Sequence, residues 1–281
     1  MMVELKTNSR HGSFGGTVGF YQYQSHVCHC PMRFSVYEPP QMANQSVPVV
    51  YFLSGLTCTE ENFMAKSGAQ RYAAELGLCL VVPDTSPRDR GITDENKHWT
   101  FGSGAGFYMD ATESPWSDHY QMYRFVVDEL PQVIQEHFSV LNNSQSIMGH
   151  SMGGHGALVL GLRNPDQYQA ISAFAPIANP IASEWTQEAF RLYLGDDQTK
   201  WQDYDASCVV QKFVDDRPIL IDQGLADQFL SELRPEAFDS ACQSVGRSLT
   251  LRRHEGYDHG YYFISSFIGD HLKFHAEQLK H

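Results

Sequence analysis

The chain has 281 residues, 42% of them hydrophobic, and a formal net charge of -13 at pH 7. This length and composition allow a substantial buried core in one domain spanning residues 1–281. The negative charge argues against nucleic acid or an anionic membrane as the main partner, because both bind basic surfaces. We therefore expect a protein that acts on a small molecule.

The first residues do not predict export, and no segment predicts membrane insertion. Glu4 stands where a secretory signal would carry basic residues, and no apolar stretch of about 7–15 residues follows it. No apolar run approaches the roughly 18 residues that a membrane span needs. We therefore expect a cytoplasmic location.

Six cysteines are spread along a chain too large to need disulfide bonds, which favours reduced thiols. Cys28-His29-Cys30, next to His26, raises the possibility of a zinc site. However, no second Cys or His pair stands at ligand spacing, and a Cys-x-Cys pair alone cannot complete a tetrahedral site. We expect neither a metal nor another cofactor, and interpret this segment as part of a strand over residues 27–37.

The remaining elements alternate between strands and helices in chain order. This alternation predicts an α/β protein with a mostly parallel central sheet and helices on both faces. A small helical insertion is expected near residues 179–215, above the carboxyl edge of the sheet. The predicted strands are residues 47–53, 78–82, 145–148, 170–174, 218–221 and 248–251, and the predicted helices are residues 67–77, 119–137 (with a kink or boundary at Pro131), 153–163 and 261–272.

Gly149-His150-Ser151-Met152-Gly153 matches the G-x-S-x-G nucleophile-elbow pattern and lies between a predicted strand and a predicted helix. That context is the one the pattern requires, and it predicts the α/β-hydrolase fold. The turn strains the serine backbone and tolerates only small neighbours, so the flanking glycines have a steric reason. We interpret Ser151 as the catalytic nucleophile.

A serine hydroxyl needs a base to remove its proton, and the base needs a carboxylate to orient it. His259 lies in a Gly-flanked loop between the last predicted strand and the last helix, where this fold places its histidine. His254 is the nearest rival, but it precedes Gly256 and is expected at the end of the strand. His150 and His155 flank the elbow and are interpreted as residues that either pack locally or form a hydrogen bond.

Two aspartates follow the penultimate predicted strand and compete for the role of the acid. Asp222 ends the strand itself, whereas Asp227 lies past the turn at Gly224, which favours Asp227. Asp258 is adjacent to His259 and cannot easily curl back to its neighbour's ring, so a loop-shaping role is expected.

An oxyanion hole needs two backbone N–H groups, one from the residue after the nucleophile and one from the loop after an early strand. Met152 is the first candidate. The second is Leu56, because Gly55 in Ser54-Gly55-Leu56 lets the backbone approach a substrate. A simple tight turn is the alternative interpretation of this stretch.

Several segments together resemble the S-formylglutathione hydrolase family, also called esterase D, and the resemblance covers nearly the whole chain. These segments are residues 53–63, 66–71, 83–88, 104–108, 149–154, 222–230 and 255–264. The resemblance implies Ser151 as nucleophile, Asp227 as acid, His259 as base, and Leu56 with Met152 as oxyanion donors. It thereby selects Asp227 over Asp222.

The resemblance also implies an activity and an assembly. Members of the family hydrolyse S-formylglutathione to formate and glutathione, the last step of glutathione-dependent formaldehyde removal, commonly accept small esters, and form homodimers. Cys58 corresponds to a family cysteine near the active site that confers sensitivity to thiol reagents, and is interpreted as a bystander. Gly260, where the family usually has Ser, and His155 depart from the family pattern.

The substrate that the resemblance implies carries two carboxylates on its leaving group. Positive side chains are therefore expected near the site, and Lys66 and Arg88 are candidates. Solvated surface charge is an equally good interpretation of both.

Overall fold

A computed structural model describes residues 3–213 and 215–279, and its central feature is a nine-stranded sheet. The strand order is β1-β2-β3-β5-β4-β6-β7-β8-β9. The strands are β1 Lys6–Ser13, β2 Gly16–Gln24, β3 Pro31–Glu38, β4 Val47–Leu53, β5 Cys79–Pro83, β6 Val140–His150, β7 Tyr168–Phe174, β8 Ile219–Gly224 and β9 Leu249–His254.

Strands β5, β4, β6, β7, β8 and β9 pair in parallel, whereas β1, β2 and β3 form an antiparallel extension joined to β5. The predicted mostly parallel sheet is therefore confirmed. Strands β4, β5 and β8 are almost wholly buried, as short apolar runs in a parallel sheet usually are.

Helices cover both faces of the sheet, as predicted. Gly161 of α5 packs so closely on Ile171 of β7 that a Cβ added to the glycine would lie 2.6 Å from Ile171 Cγ1. The next residue of β7, Ser172, instead contacts His275 of α11. Successive strand residues point to opposite faces, so α5 and α11 lie on opposite sides. The helices are α1 Glu60–Lys66, α2 Ala69–Leu76, α3 Met122–Arg124, α4 Leu130–His137, α5 Met152–Arg163, α6 Glu184–Leu194, α7 Gln198–Trp201, α8 Ala206–Lys212, α9 Leu230–Leu233, α10 Pro235–Ser244 and α11 Tyr261–Gln278.

The helix predicted over residues 119–137 extends from Met122 to His137 and changes its winding just before Pro131. A π-helical turn, Phe125–Glu129, separates α3 from α4. Pro131 has no N–H to donate to the carbonyl of Val127, four residues earlier. That carbonyl instead accepts a hydrogen bond from Gln167 Nε2 at 3.0 Å. The change of winding agrees with the predicted kink or boundary.

Several elements have no counterpart in the sequence-based predictions. The edge strand β1 is exposed along most of its length, so no hydrophobic alternation marks it. Helix α1 begins at a capping box in which the Thr59 side chain and Asn62 satisfy backbone N–H groups. This variant of the usual motif is a local signal that could have located α1.

The predicted insertion near residues 179–215 is helical, with α6, α7 and α8 inside it. Val214 and residues 1, 2, 280 and 281 lie outside the described residues. The predicted single domain, residues 1–281, and the predicted insertion, residues 179–215, therefore both include residues that the structure does not describe. Among the described residues, no helix is both long and apolar enough to cross a membrane.

A buried cluster of charged and polar side chains joins β8, β9 and α11 beneath the carboxyl edge. Arg252 makes two 2.6 Å contacts with the Asp222 carboxylate, and His271 Nε2 lies 3.3 Å from it. His271 Nδ1 is 2.8 Å from Ser172 Oγ. Burial alone would raise the pKa of Asp222, but His271 and Arg252 outweigh burial and hold that pKa below its ordinary value.

We predict that Asp222→Ala lowers the free energy of unfolding by about 3 kcal/mol, because it breaks a buried ion pair and leaves Arg252 without its main partner. Denaturant unfolding measures the change. Glu188→Ala, which breaks an exposed pair with Arg191, is the matched control and should cost about 0.5 kcal/mol. Equal losses in the two variants would contradict a buried structural role for Asp222.

His155 on α5 is fully buried between two aromatic rings. Its ring centroid lies 6.2 Å from those of Phe107 and Phe190. Burial lowers the pKa of His155 to about 4. Because an unfolded histidine has a pKa near 6.5, the unfolded chain binds more protons between these two values, and stability falls as the pH drops through that range.

Between pH 7 and pH 5, this one histidine should therefore reduce the free energy of unfolding by about 2 kcal/mol. We predict that His155→Leu removes that part of the acid loss, as measured by denaturant unfolding at both pH values. The control is His11→Leu, whose ring is exposed in the folded protein, and the acid loss assigned to His155 should persist in this variant. An unaltered pH dependence in His155→Leu would refute the assignment.

Candidate active site

Ser151 occupies a sharp turn between the end of β6 and the start of α5. Its backbone has φ 57° and ψ -119°, a region that a residue with a side chain adopts at a cost of about 1–3 kcal/mol. The turn is held by hydrogen bonds from Ser151 N to the Phe174 carbonyl at 3.0 Å and from Ile177 N to the Ser151 carbonyl at 3.2 Å. The side chain therefore stands at the helix N-terminus in a fixed backbone frame.

Two glycines make this turn sterically possible. A Cβ on Gly149 would overlap the carbonyl oxygen of Gly153, and a Cβ on Gly153 would overlap the carbonyl oxygen of Leu53. The elbow is thus packed directly against the end of β4. This close approach is the physical reason for the G-x-S-x-G spacing.

His259 and Asp227 are joined although 32 residues separate them. Asp227 lies in the loop after β8, and His259 lies in the loop between β9 and α11. His259 Nδ1 is 2.7 Å from Asp227 Oδ2. An ionised carboxylate can only accept, so this contact assigns the ring proton to Nδ1 and leaves Nε2 available as a base.

The Asp227 carboxylate is fully buried and is held by further donors. Phe229 N donates to its Oδ1 at 2.8 Å, and Gln223 Nε2 donates to its Oδ2 at 3.2 Å. The orientation of the carboxylate is therefore set by the loop itself. A fixed acceptor in turn fixes the plane of the His259 ring.

The ring of His259 lies beside the elbow, next to the ring of His150. The His259 ring centroid is 4.5 Å from that of His150, the residue before Ser151. Among the described residues, the Ser151 hydroxyl makes no hydrogen bond with His259. Catalytic hydrogen bonds are commonly long without substrate and tighten in the complex.

The rival residues have other contacts. Asp222 belongs to the buried cluster with Arg252 and does not contact His259. His254 ends β9, where it was expected, and stacks on Phe267 with 3.8 Å between ring centroids. Asp258 Oδ1 accepts a hydrogen bond from Gly260 N at 2.9 Å and so shapes its own loop.

Two backbone N–H groups near Ser151, those of Leu56 and Met152, are candidates for the oxyanion hole. Within the described part of the chain, neither Leu56 N nor Met152 N donates to a protein acceptor; Met152 is the first residue of α5, where N–H groups lack helical partners. A Cβ on Gly55 would lie only 3.1 Å from the Ser151 Cβ. The loop that carries Leu56 therefore lies against the elbow.

Cys58 is two residues beyond Leu56 and is partly buried. Burial raises the pKa of its thiol, although the charges of Lys66 and Arg88 act in the opposite direction. A protonated thiol is a weak nucleophile. The carbonyl of Cys58 accepts hydrogen bonds from Thr85 Oγ1 at 2.6 Å and Arg88 Nη2 at 2.9 Å, which fixes the loop.

Burial and the charge of His259 both lower the pKa of His150, burial being the larger cause. His150 is consequently neutral near pH 7. Its ring also lies against the loop, because a Cβ on Gly55 would be 3.2 Å from His150 Nδ1.

An aromatic wall extends from His259 toward the helical insertion. Phe229 packs edge-on against His259 at 5.0 Å, Trp185 packs against Phe229 at 4.7 Å, and Trp99 packs against Trp185 at 5.1 Å between ring centroids. Trp185 belongs to the segment near residues 179–215 that was predicted to form a helical insertion above the sheet edge. Trp99 was missed, because nothing in its local sequence relates it to distant strand ends.

The cysteine segment near the N-terminus lies in the loop before β3, which begins at Pro31, so the prediction that this segment belongs to the strand was wrong. Cys28 and Cys30 are buried, and all six cysteines are free. Burial raises the pKa of the Cys28 thiol far above its ordinary value. Across residues 3–213 and 215–279, no group of three or more His, Cys, Asp or Glu side chains could hold a metal ion.

Comparison with known proteins reveals close relatives. The chain matches the family model Esterase, described as "Putative esterase", over residues 25–274. It is 49% identical over 280 residues to S-formylglutathione hydrolase of Rattus norvegicus, covering 99% of both chains. It is 45% identical over 279 residues to that of Paracoccus denitrificans, covering 99% of this chain and 100% of the relative.

Solved structures agree with this relationship. An S-formylglutathione hydrolase from Agrobacterium tumefaciens superposes with a TM-score of 0.95 and 49% identity, covering 98% of this chain and 99% of the other. A ferulic acid esterase at 18% identity superposes with a TM-score of 0.75, covering 95% and 100%, and shares the fold. The chain is therefore a serine hydrolase of the α/β-hydrolase fold that belongs to the S-formylglutathione hydrolase family.

Proposed function

We propose that this protein hydrolyses S-formylglutathione to formate and glutathione, with Ser151 as nucleophile, His259 as base and Asp227 as acid. The observation that carries the proposal is the 2.7 Å contact between His259 and Asp227 beside the strained turn at Ser151. The substrate follows from relatives that are named S-formylglutathione hydrolases and align over nearly the full chain.

In the proposed acylation step, substrate binding brings the Ser151 hydroxyl within reach of His259 Nε2. The ring takes the hydroxyl proton as Ser151 Oγ attacks the formyl carbon. The oxygen of the tetrahedral intermediate becomes negatively charged, and the free N–H groups of Leu56 and Met152 stabilise it. Removing one such donor commonly lowers kcat by about 10²–10³-fold.

The intermediate then collapses to a formyl-enzyme. The C–S bond breaks, and the His259 imidazolium donates its proton to the departing glutathione thiolate. Water next takes the place of glutathione, gives its proton to His259 and attacks the formyl carbon. Cleavage of the ester bond releases formate and returns the proton to Ser151.

Asp227 acts through His259 in this scheme. Its buried carboxylate keeps the imidazole proton on Nδ1, and it stabilises the imidazolium that forms when Nε2 takes the serine proton. The contacts of Asp222 support the choice of Asp227, because Arg252, His254 and His271 lie against the oxygens of Asp222.

Replacement of the nucleophile tests the proposal directly. Ser151→Ala should lower kcat for S-formylglutathione by on the order of 10⁴-fold or more, because no covalent intermediate can form. Rapid acid quenching followed by mass analysis should find a formyl group on Ser151 of the wild type and none on the variant.

Ser146→Ala is the matched control. Ser146 is a fully buried serine on the same strand, and its hydroxyl has no hydrogen-bond partner among the described residues. It should retain wild-type kcat. Substantial S-formylglutathione hydrolysis by Ser151→Ala would eliminate the proposed nucleophile.

The two aspartates can be separated by amide substitutions. Asp227→Asn should reduce kcat by on the order of 10⁴-fold with little loss of stability, because it disfavours the required histidine tautomer. Asp222→Asn should reduce stability and leave kcat of the folded protein within a few-fold of wild type. Steady-state kinetics and denaturant unfolding of both variants decide the assignment, and the reverse pattern would make Asp222 the acid.

We further infer activity on small short-chain esters, since the same triad can attack any accessible acyl carbon. A general carboxylesterase is the alternative function. Comparison of kcat/KM for S-formylglutathione and simple acetate esters distinguishes them. A clear preference for acetate esters would favour the alternative.

Assembly and cellular role are part of the same proposal. We infer a single domain, because one continuous sheet contains all nine described strands, and a homodimer by resemblance to the family. The six free thiols are compatible with a reducing cytoplasm, where the reaction would complete glutathione-dependent formaldehyde removal. Two separate unfolding transitions, a monomer in sedimentation analysis, or an extracellular location would each contradict the corresponding inference.

A further inference from the structure

Lys66 lies at the rim of the candidate active site, where helix α1 ends close to the first residue of helix α11. It is the last residue of α1, the short helix that follows the loop carrying Leu56 and Cys58. The side chain is exposed. Its Nζ lies 5.5 Å from the ring centroid of Tyr261.

Tyr261 connects Lys66 to the proposed catalytic residues. It begins α11 two residues after His259, and its ring centroid is 6.4 Å from that of His150. The His150 ring is in turn 4.5 Å from His259. Lys66 and the elbow residue His150 are therefore both neighbours of the Tyr261 ring.

The ammonium group of Lys66 is available for a ligand. Within the described residues, no carboxylate lies within ion-pair distance of its Nζ. Arg88, the other cation near Cys58, differs in this respect. Its guanidinium binds the Asp84 carboxylate at 2.8 Å and the Cys58 carbonyl at 2.9 Å.

We propose that Lys66 binds a carboxylate of the glutathione leaving group and thereby makes the site selective for charged thioesters. This inference rests on the function proposed above. Lysine presents a compact ammonium group on a flexible stem, which suits a carboxylate whose position varies during the reaction.

Size and charge both favour this assignment. Glutathione is a tripeptide, and at about 3.3–3.6 Å per residue it spans roughly 10 Å when extended. The sulfur is on the central residue, so the two carboxylates extend to either side of the reacting group. In this proposal the leaving group crosses the ring of Tyr261, and one of its carboxylates contacts Lys66. The protein carries a net charge of -13, so an anionic substrate needs a local positive charge at the site to offset the repulsion.

The test compares two formyl thioesters that differ in charge. Lys66→Met should raise KM for S-formylglutathione about 5-fold at low ionic strength, with kcat nearly unchanged, because binding outside the reacting centre is lost. The difference should shrink in 0.5 M salt. KM for the uncharged formyl thioester of N-acetylcysteamine should not change, and Lys66→Arg should retain most of the affinity.

Binding can be measured separately from turnover of the proposed substrate. S-Methylglutathione has no acyl group and should competitively inhibit hydrolysis of p-nitrophenyl acetate, with an inhibition constant about 5-fold weaker in Lys66→Met. Lys273→Met is the matched control. Lys273 is another exposed lysine without an ion pair among the described residues, about 18 Å along α11 from Tyr261.

The outcomes separate this inference from the proposed function. Equal effects of Lys66→Met on both thioesters, or equal inhibition of wild type and variant by S-methylglutathione, would overturn the role of Lys66. The same loss in Lys273→Met would also overturn it, because the effect would then be one of overall charge. If wild type fails to hydrolyse S-formylglutathione but shows Lys66-dependent inhibition, the proposed function fails and the carboxylate site stands.

Discussion

The structure depends on the strained backbone at Ser151, where β6 turns directly into α5. A positive φ at a residue with a side chain persists only when its surroundings hold it. Here the hydrogen bonds to Phe174 and from Ile177 hold the turn at the end of β7. Gly149 and Gly153, which have no Cβ, allow the turn to pack on β4. Three neighbouring strand ends therefore fix one serine, and the rest of the candidate site is arranged around it.

The parallel sheet brings the other residues of the proposed triad to the same edge. Because β6, β8 and β9 run in one direction, the loops after them all emerge beside the elbow. Asp227 and His259 lie in two of these loops and meet at 2.7 Å. Asp222, only five residues before Asp227, still belongs to its strand, and its side chain enters the buried cluster with Arg252. Position relative to the end of the strand thus separates a structural carboxylate from the proposed catalytic one.

Burial organises the charges around the site. His150 and His155 are kept neutral by burial, while the charge of Asp222 is retained because Arg252 compensates it. Lys66 differs from these residues, because it is exposed, lies over the ring of Tyr261 and has no ion pair among the described residues. For the proposed anionic substrate, such a group would offset repulsion from an acidic protein, and this is the physical basis for proposing that Lys66 binds the leaving group.

The sequence by itself determined the fold class, the elbow and the candidates for base, acid and oxyanion donors, because each depends on short-range rules. Apolar runs mark buried strands, and G-x-S-x-G marks a turn that only glycine neighbours permit. The exposed strand β1 escaped prediction because it has no buried face. Only the tertiary structure decided which distant side chains meet: the contact of His259 with Asp227, the aromatic wall containing Trp99, and the proximity of Lys66 to Tyr261. These contacts join residues far apart in the chain, so no local pattern records them.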